Sequence, residues 1–308
     1  MSWTLWGLVA LLVAAPFLGE WRRKPLGAAE RARASGDFAD LARGRTHYRW
    51  FGPDDGPVVV CIHGLTTAAY VWGPVARGLA AAGYRVLTYD LYGRGFSDRP
   101  RGAQDAAFFL AQLDELLADQ GVTGRVTLLG YSMGGAIATA FAAAHPDRVR
   151  QLILLAPAGL GHDLGPVARL VVNHPWLGTW LFFAFYARSY GNALEAERGL
   201  PGRVEGMVDR QKAELEYRGF LPGVLRSLRG ILDDDQAGHH RDIAAAKLPV
   251  LAVWGAEDDV IPLAGKDKLA ACNPRARQAV IEGAGHALAY THPGAVLEAF
   301  GPVLPARV

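Results

Sequence analysis

The stretch Gly130-Tyr131-Ser132-Met133-Gly134 decides the fold that we expect. It follows the apolar run 126–129 and precedes a helical pattern over 135–144. A Gly-x-Ser-x-Gly stretch between a strand and a helix is a sharp turn that projects the serine from the carboxyl end of a sheet. The following helix directs its positive end to the place where negative charge develops in acyl transfer. The pattern therefore predicts a nucleophile at Ser132, against the alternative of an inert serine in a glycine-rich turn.

Short apolar runs and helical patterns alternate on both sides of this turn. Continuous apolar runs are typical of strands that are buried on both faces, whereas residues 46–51 alternate as an edge strand does. The alternation predicts an α/β fold with a mostly parallel, doubly wound sheet. The expected strands are 46–51, 58–62, 85–89, 126–129, 152–155, 250–254 and 278–281, and the expected helices are 70–82, 106–120, 135–144, 263–272 and 294–300.

The alternation stops between Pro157 and Leu248, where the sequence is mostly helical and rich in aromatic residues. We interpret residues 159–240 as a helical cap inserted into a core of residues 46–158 and 241–308. Four aromatic residues are candidates for a substrate pocket, although they also suit the cap's own core or a membrane surface. They are Trp176, Trp180, Phe183 and Tyr186.

A serine needs a base, and the base needs an acid that orients it. His286 is the candidate base, because it follows the last expected strand in a glycine-rich loop. Surface or structural roles suit His145, His239, His240 and His292 better, while His162 and His174 remain open as pocket residues.

Asp258 is the candidate acid, because it follows the expected strand 250–254 after a short turn. Its neighbours Glu257 and Asp259 are rivals, and so is the acidic run 233–235. We interpret that run as a solvated face.

His63-Gly64-Leu65 also lies at the end of an expected strand. The backbone amides of Leu65 and Met133 would then form an oxyanion hole beside Ser132. His63 precedes the nucleophile in the chain, and we interpret it as a structural histidine of this loop rather than as the base.

The N-terminus carries no charged residue from Ser2 to Gly19. As a helix this segment reaches roughly 27 Å, close to the hydrocarbon thickness of a bilayer. Tryptophans at both ends suit the two membrane interfaces, and the basic cluster 22–24 predicts a cytoplasmic catalytic domain. We interpret residues 1–24 as a membrane anchor; the alternatives are a cleaved signal peptide, with a secreted or periplasmic enzyme, and a helix packed on the domain. Residues 25–45 read as a polar connector, with one short helix at most.

Composition excludes several classes of protein. The chain has 308 residues, 51% of them hydrophobic, and a net charge of +2. This apolar content excludes disorder over most of the chain, and the near-neutral charge disfavours a nucleic-acid partner. The two cysteines, Cys61 and Cys272, form no motif of a disulfide framework or a zinc site. A reducing compartment suits them.

The ordered motifs resemble the α/β-hydrolase superfamily over the chain from residue 46 onward. Besides the serine turn, they are His63-Gly64-Leu65, residues 90–98, residues 255–262, and Gly283-Ala284-Gly285-His286. The resemblance implies that Asp258 is the acid of the triad and that residues 90–98 shape the site without transferring protons. Dehalogenases and epoxide hydrolases of this fold use an aspartate nucleophile, where this chain has Ser132. Hydrolases of C–C bonds in this family usually have Trp after the histidine, where this chain has Ala287.

Three functional hypotheses follow. The first is a serine hydrolase of lipophilic carboxylic esters, of the esterase and lipase type, with Ser132, His286 and Asp258 as its triad. It needs neither a cofactor nor a metal, and its partners are a small-molecule ester and a membrane. The second is a C–C bond or lactone hydrolase with the same triad. The third is a non-catalytic binding protein of this fold.

Overall fold

A mostly parallel sheet of eight strands forms the centre of the computed structural model, which describes residues 3–161, 165–200, 202–301 and 303–304. The strands are β1 (Asp37–Leu41), β2 (Gly44–Phe51), β3 (Val58–Ile62), β4 (Arg85–Tyr89), β5 (Val126–Tyr131), β6 (Val149–Leu155), β7 (Val250–Gly255) and β8 (Arg277–Ile281). Their order across the sheet is β1-β2-β4-β3-β5-β6-β7-β8. β3 to β8 pair in parallel, while β1 and β2 pair antiparallel to their neighbours.

Helices cover both faces of the sheet, which is why the central strands are continuous apolar runs. The helices of the chain are α1 (Trp3–Trp21), α2 (Ala28–Arg31), α3 (Gly73–Ala81), α4 (Ala106–Asp119), α5 (Met133–Ala144), α6 (Gly165–Asn173), α7 (Pro175–Ala196), α8 (Met207–Glu214), α9 (Phe220–Leu228), α10 (Ala237–Ala245), α11 (Ala264–Cys272), α12 (Leu288–Thr291) and α13 (Pro293–Phe300). α3 packs with α13, and α5 packs with α4 and α10. The predicted doubly wound α/β fold is confirmed.

The region expected as a connector contributes to the sheet. β1 pairs with β2 along its whole length, so β2 is not the edge strand that its alternating pattern predicted. The sequence of β1, Asp37-Phe38-Ala39-Asp40-Leu41, carries two aspartates, which strands usually lack. Pairing with β2 and burial of Ala39 override that preference.

Five helices, α6 to α10, lie between β6 and β7 in the chain. The aromatic stretch is part of α7, the longest of them at 22 residues. The expected boundary between cap and core falls inside α10, which packs on α5 and α11 beside the sheet.

The predicted apolar N-terminal helix is present as α1, and it packs along α7. The Trp180 indole donates a hydrogen bond to the Leu12 carbonyl oxygen at 3.2 Å, and the rings of Phe17 and Phe183 meet edge to face. At its end, the Glu20 carboxylate accepts a hydrogen bond from the Gly219 amide at 2.6 Å. Backbone hydrogen bonds then join Lys24 to Glu216 and Arg218. These contacts attach α1 to the inserted helices.

Candidate active site

Ser132 occupies the turn between β5 and α5, with φ 54° and ψ −120°. This conformation is strained for a residue with a side chain. The glycines of the motif make the turn possible, because added methyl groups would overlap carbonyl oxygens. At Gly130 the obstacle is the Gly134 oxygen, and at Gly134 it is the Ile62 oxygen of β3. The turn therefore lies tightly against the neighbouring strand.

His286 and Asp258 complete a hydrogen-bonded line with Ser132. His286 Nε2 lies 3.0 Å from Ser132 Oγ, and His286 Nδ1 lies 2.9 Å from Asp258 Oδ2. The three residues come from three carboxyl ends of the sheet, after β5, β7 and β8. Parallel strands bring these ends to one edge, which is why residues so distant in the chain meet there.

Both partners of Ser132 are held in place. The Asp258 side chain is almost fully buried, and its Oδ1 accepts hydrogen bonds from the amides of Val260 and Ile261. The Tyr131 hydroxyl donates to the His286 backbone oxygen at 3.0 Å. With Nδ1 facing a carboxylate, Nε2 can accept the serine proton.

The loop after β3 reaches Ser132. A methyl group built on Gly64 would lie 3.3 Å from Ser132 Cβ. Met133 begins α5, so its amide belongs to the unsatisfied N-terminal donors of that helix. In the hydrogen bonding of the described residues, the amides of Leu65 and Met133 donate to no protein group. Both amides are free for a ligand oxygen.

His63 serves this loop structurally. Its Nε2 accepts a hydrogen bond from the Leu91 amide at 2.9 Å, and its Nδ1 lies 2.8 Å from the Gly64 oxygen. Burial lowers the pKa of His63 to about 4, so the ring is neutral. This agrees with the sequence interpretation of His63.

The other candidate acids and bases that the structure describes do not join the hydrogen bonds between Ser132, His286 and Asp258. Glu257 and Asp259 are exposed, and so is the acidic run 233–235. His145 lies 3.5 Å from Asp114, and His240 is buried in α10. His174 is exposed at the start of α7, and His162 lies outside the described residues.

Arg94 is a residue of the site that sequence reasoning missed. It is fully buried, and its Nε donates to the Leu65 carbonyl oxygen at 2.9 Å. The other guanidinium N–H groups bind Tyr92, Gln104, Gly223 and Ser227, so all five donors are used. Arg94 thereby connects the loop after β3 to α9. Its place in the Gly-Arg-Gly-Phe-Ser stretch was visible in the sequence, but its partners were not.

The expected pocket residues separate into two groups. Tyr186 stacks between Phe182 and Tyr190, whose hydroxyl accepts a hydrogen bond from Gln211 Nε2 at 3.0 Å and lies near Thr66, next to Leu65. This part of α7 reaches the loop beside Ser132. Trp180 and Phe183 contact α1 instead, and Trp176 is 92% exposed.

Neither cysteine joins the site. Cys61 is buried in β3, where burial raises the pKa of its thiol, and Cys272 lies at the end of α11. Over the residues that the structure describes, no three His, Cys, Asp or Glu side chains are grouped so that they could hold a metal.

Comparison with known proteins shows which family this chain resembles. Residues 57–293 match the family model described as the alpha/beta hydrolase fold. The chain is 33% identical to a cis-3-alkyl-4-alkyloxetan-2-one decarboxylase of Xanthomonas campestris pv. campestris, over 67% of this chain and 74% of the relative. It is 29% identical to a pimeloyl-[acyl-carrier protein] methyl ester esterase of Nitrosomonas europaea, over 76% and 90% of the two chains. It is also 29% identical to a 2-hydroxy-6-oxononadienedioate/2-hydroxy-6-oxononatrienedioate hydrolase of Cupriavidus pinatubonensis, over 83% and 90%.

Solved structures share the fold. A hydrolase from Pseudomonas aeruginosa aligns with a TM-score of 0.73 at 24% identity, over 89% of this chain and all of that one. A membrane phospholipase A, described as a bacterial virulence factor, aligns with a TM-score of 0.71 at 21% identity, over 98% and 97% of the two chains. At these identities the likeness concerns the fold alone.

Proposed function

This chain belongs to the alpha/beta hydrolase fold family, and we propose that it is a serine hydrolase of carboxylic esters. The hydrogen-bonded line from Ser132 through His286 to Asp258, with distances of 3.0 and 2.9 Å, carries this proposal. A small-molecule substrate is in keeping with the relatives, one of which is named as an ester esterase.

The geometry supports a two-step reaction. His286 Nε2 takes the Ser132 proton while Oγ attacks the ester carbonyl carbon, and the amides of Leu65 and Met133 stabilise the oxyanion. Asp258 holds the His286 ring and stabilises its protonated form. The alcohol then leaves with the proton from His286. A water molecule, deprotonated by His286, attacks the acyl-enzyme and releases the acid and free Ser132.

Replacement of the nucleophile tests the proposal. Ser132→Ala should lower turnover of p-nitrophenyl esters at least about 10⁴-fold, because the acyl-enzyme cannot form. It should also abolish labelling by a fluorophosphonate probe. Ser189→Ala, which alters an exposed serine of α7, is the control and should keep both properties. Full labelling of Ser132→Ala would disprove the assignment.

We also propose lipophilic acyl groups and membrane association. The stacked rings of Phe182, Tyr186 and Tyr190, near the loop that carries Leu65, support the preference for lipophilic acyl groups. The apolar helix α1, with a mean hydropathy of 1.5, supports the membrane association. By the positive-inside rule, the basic residues after α1 favour a cytoplasmic catalytic domain. A series of p-nitrophenyl esters of increasing chain length tests the preference, which fails if acetate is the best substrate.

A C–C bond or lactone hydrolase with the same three residues is the second candidate. Similarity to the hydrolase named for 2-hydroxy-6-oxononadienedioate favours it. A substrate panel of acyl esters, lactones and a vinylogous diketone separates the two, since the preferred class gives the highest kcat/KM.

A further inference from the structure

α7, which packs beside α1, and its neighbour α6 carry their own exposed apolar surface. We call it the cap tip: Val167 and Leu170 of α6 with Trp176 and Leu177 of α7. Val167 is 74% exposed, Trp176 92% and Leu177 53%. Large apolar side chains seldom stand together in water without a partner.

The cap tip is a firm part of the fold. A methyl group on Gly178 would overlap the Val171 carbonyl oxygen, so α6 and α7 pack backbone to backbone at their junction. Arg229, which follows α9, donates hydrogen bonds to the carbonyl oxygens of Val171 and Pro175 and to the Thr179 hydroxyl. These contacts therefore fix the backbone of the tip.

Two contacts align α1 with α7. Trp180 contacts Leu12, and Phe183 contacts Phe17. Both sequence numbers increase from the first contact to the second, so the two helices run in the same direction, and residues in contact are at the same height along the two helix axes. Trp176 precedes Trp180 by one helical turn on the same side of α7. It therefore lies beside the N-terminal half of α1, whose residues from Trp3 to Leu12 are all exposed.

The uncharged stretches of α1 and α7 end at the same height along the two helix axes. No Asp, Glu, Lys or Arg occurs from Trp3 to Gly19 or from Leu170 to Ala187. Arg169, between Val167 and Leu170 of α6, is exposed, and its long side chain can extend to the headgroups. Continuing the same alignment brings Arg188 of α7 to the height of Arg22. Trp21 lies there as well, with the Arg218 guanidinium 5.6 Å from its ring. Tryptophan and arginine at one level, with apolar residues beyond it, are typical of a boundary between phospholipid headgroups and acyl chains.

We propose that the cap tip enters the acyl-chain region of a phospholipid bilayer together with α1. The membrane-bound unit is then the pair of α1 and α7 with the end of α6, rather than α1 alone. Asn173 and His174 adjoin the tip, and these polar side chains favour a position roughly 5–10 Å deep, near the headgroups. Because about 18 Å of helix separate Trp176 from Arg188, this depth requires α1 and α7 to lie tilted in the bilayer. The inference rests on the membrane association proposed above. It places α7, which reaches the loop that carries Leu65, at the lipid surface.

An environment-sensitive label tests the cap tip in the full-length chain. In a Cys272→Ala background, NBD is attached to Leu177→Cys, to Leu11→Cys on α1, and to Val280→Cys on β8 as the control. Vesicles of phosphatidylcholine and phosphatidylglycerol should shift NBD emission to the blue at positions 177 and 11, and leave position 280 unchanged. A shift at position 11 alone would overturn the inference and leave α1 as the only anchor.

Lipid contact provides the second measurement, because α1 alone can hold the chain on the vesicles whatever the cap tip does. Phosphatidylcholine brominated along its acyl chains should quench NBD at position 177 and leave NBD at position 280 unquenched. Thermal unfolding checks that each labelled variant folds. Quenching at position 11 without quenching at position 177 would contradict the inference. Absence of vesicle binding by the wild-type chain would overturn it too, while ester hydrolysis in solution would still report the proposed chemistry.

Discussion

Ser132 holds a backbone conformation that its own side chain disfavours, and the packing around it maintains that conformation. β3 lies against one side of the turn, and the Ser132 amide donates to the Leu155 oxygen of β6. Strain of this kind persists where surrounding contacts over-determine the backbone. It presents Oγ to His286 and leaves the Met133 amide free at the start of α5.

Gly134 is the residue on which this packing depends most. Gly134→Ala should lower the free energy of unfolding by about 3 kcal/mol or more, because the new methyl group overlaps the Ile62 oxygen. Gly124→Ala, which meets nothing within 4 Å, is the control and should change it by less than about 0.5 kcal/mol. Urea denaturation measures both, and equal midpoints for the two variants would contradict the prediction.

The identity of the acid is testable among three neighbouring carboxylates. Asp258→Asn should lower kcat for ester hydrolysis about 10⁴-fold, because an amide no longer stabilises the protonated His286 and favours the wrong tautomer. Glu257→Gln and Asp259→Asn alter exposed carboxylates and should keep kcat within about threefold of wild type. A larger loss in Asp259→Asn than in Asp258→Asn would transfer the role to Asp259.

Among single residues, those that follow the end of a strand could be predicted from the sequence, because a strand followed by a turn is visible in the local pattern of residues. Ser132, His286 and Asp258 are of that kind, although the triad assignment itself stays a prediction. Arg94 and Tyr190 could not be found in this way. Their importance comes from their positions beside Leu65 and Thr66, which are distant in the chain, and a local pattern does not specify such long-range proximity.

The loop between β4 and α4 is the element that joins the inserted helices to the site. Arg94 binds α9, and the Gly95 amide donates to Glu214 of α8 at 3.1 Å. Arg99 also reaches Glu214, at 3.3 Å. The loop therefore positions the Leu65 carbonyl and holds α8 and α9 with the same few residues.

Glu214 makes this junction sensitive to pH. Burial raises the pKa of Glu214 to about 7, from 4.5 when exposed. The folded chain therefore keeps a proton that the unfolded chain releases between these values, so this carboxyl lowers the free energy of unfolding as pH rises from 4.5 to 7. The loss amounts to about 3 kcal/mol. Relative to Glu214→Gln, the wild type should lose this amount between pH 4.5 and 8 in urea denaturation; parallel curves would refute the prediction.

Strands were more predictable than the inserted helices. β3, β5 and β7 are apolar on both faces, and only a sheet covered twice explains such runs. β1 was missed because its two aspartates disfavour a strand, and only its partner β2 makes the strand stable. In α7 the aromatic residues predicted burial in general, but they could not show which of them face α1, which face Thr66, and which face outward.

At the scale of the whole molecule, α1 and the inserted helices form one unit. Hydrogen bonds at Glu20 and Lys24 fasten the end of α1, and the contacts of Leu12 and Phe17 fasten its middle. With α1 as the proposed anchor, this attachment would fix the orientation of the inserted helices relative to the membrane, whereas a flexible connector would not.

The membrane side is measurable on intact cells. Asp54→Cys places a thiol at a side chain that is 98% exposed, in a Cys272→Ala background. With a cytoplasmic catalytic domain, a membrane-impermeant maleimide should label it only after the cells are permeabilised. Labelling of intact cells would place the domain outside, and loss of residues 1–24 from the mature protein, seen by mass spectrometry, would identify a cleaved signal.

The hydrogen bond between Trp180 and Leu12 spans 168 positions of the chain, and this separation has a consequence during biosynthesis. At the usual rates of translation, α1 leaves the ribosome about 10 to 30 seconds before α7 exists. During that interval its apolar sides need another partner, and a lipid bilayer or a targeting factor is the partner that suits an uncharged helix. On the membrane association proposed above, the nascent chain would reach the membrane first, and the inserted helices would fold there against a helix that is already in place.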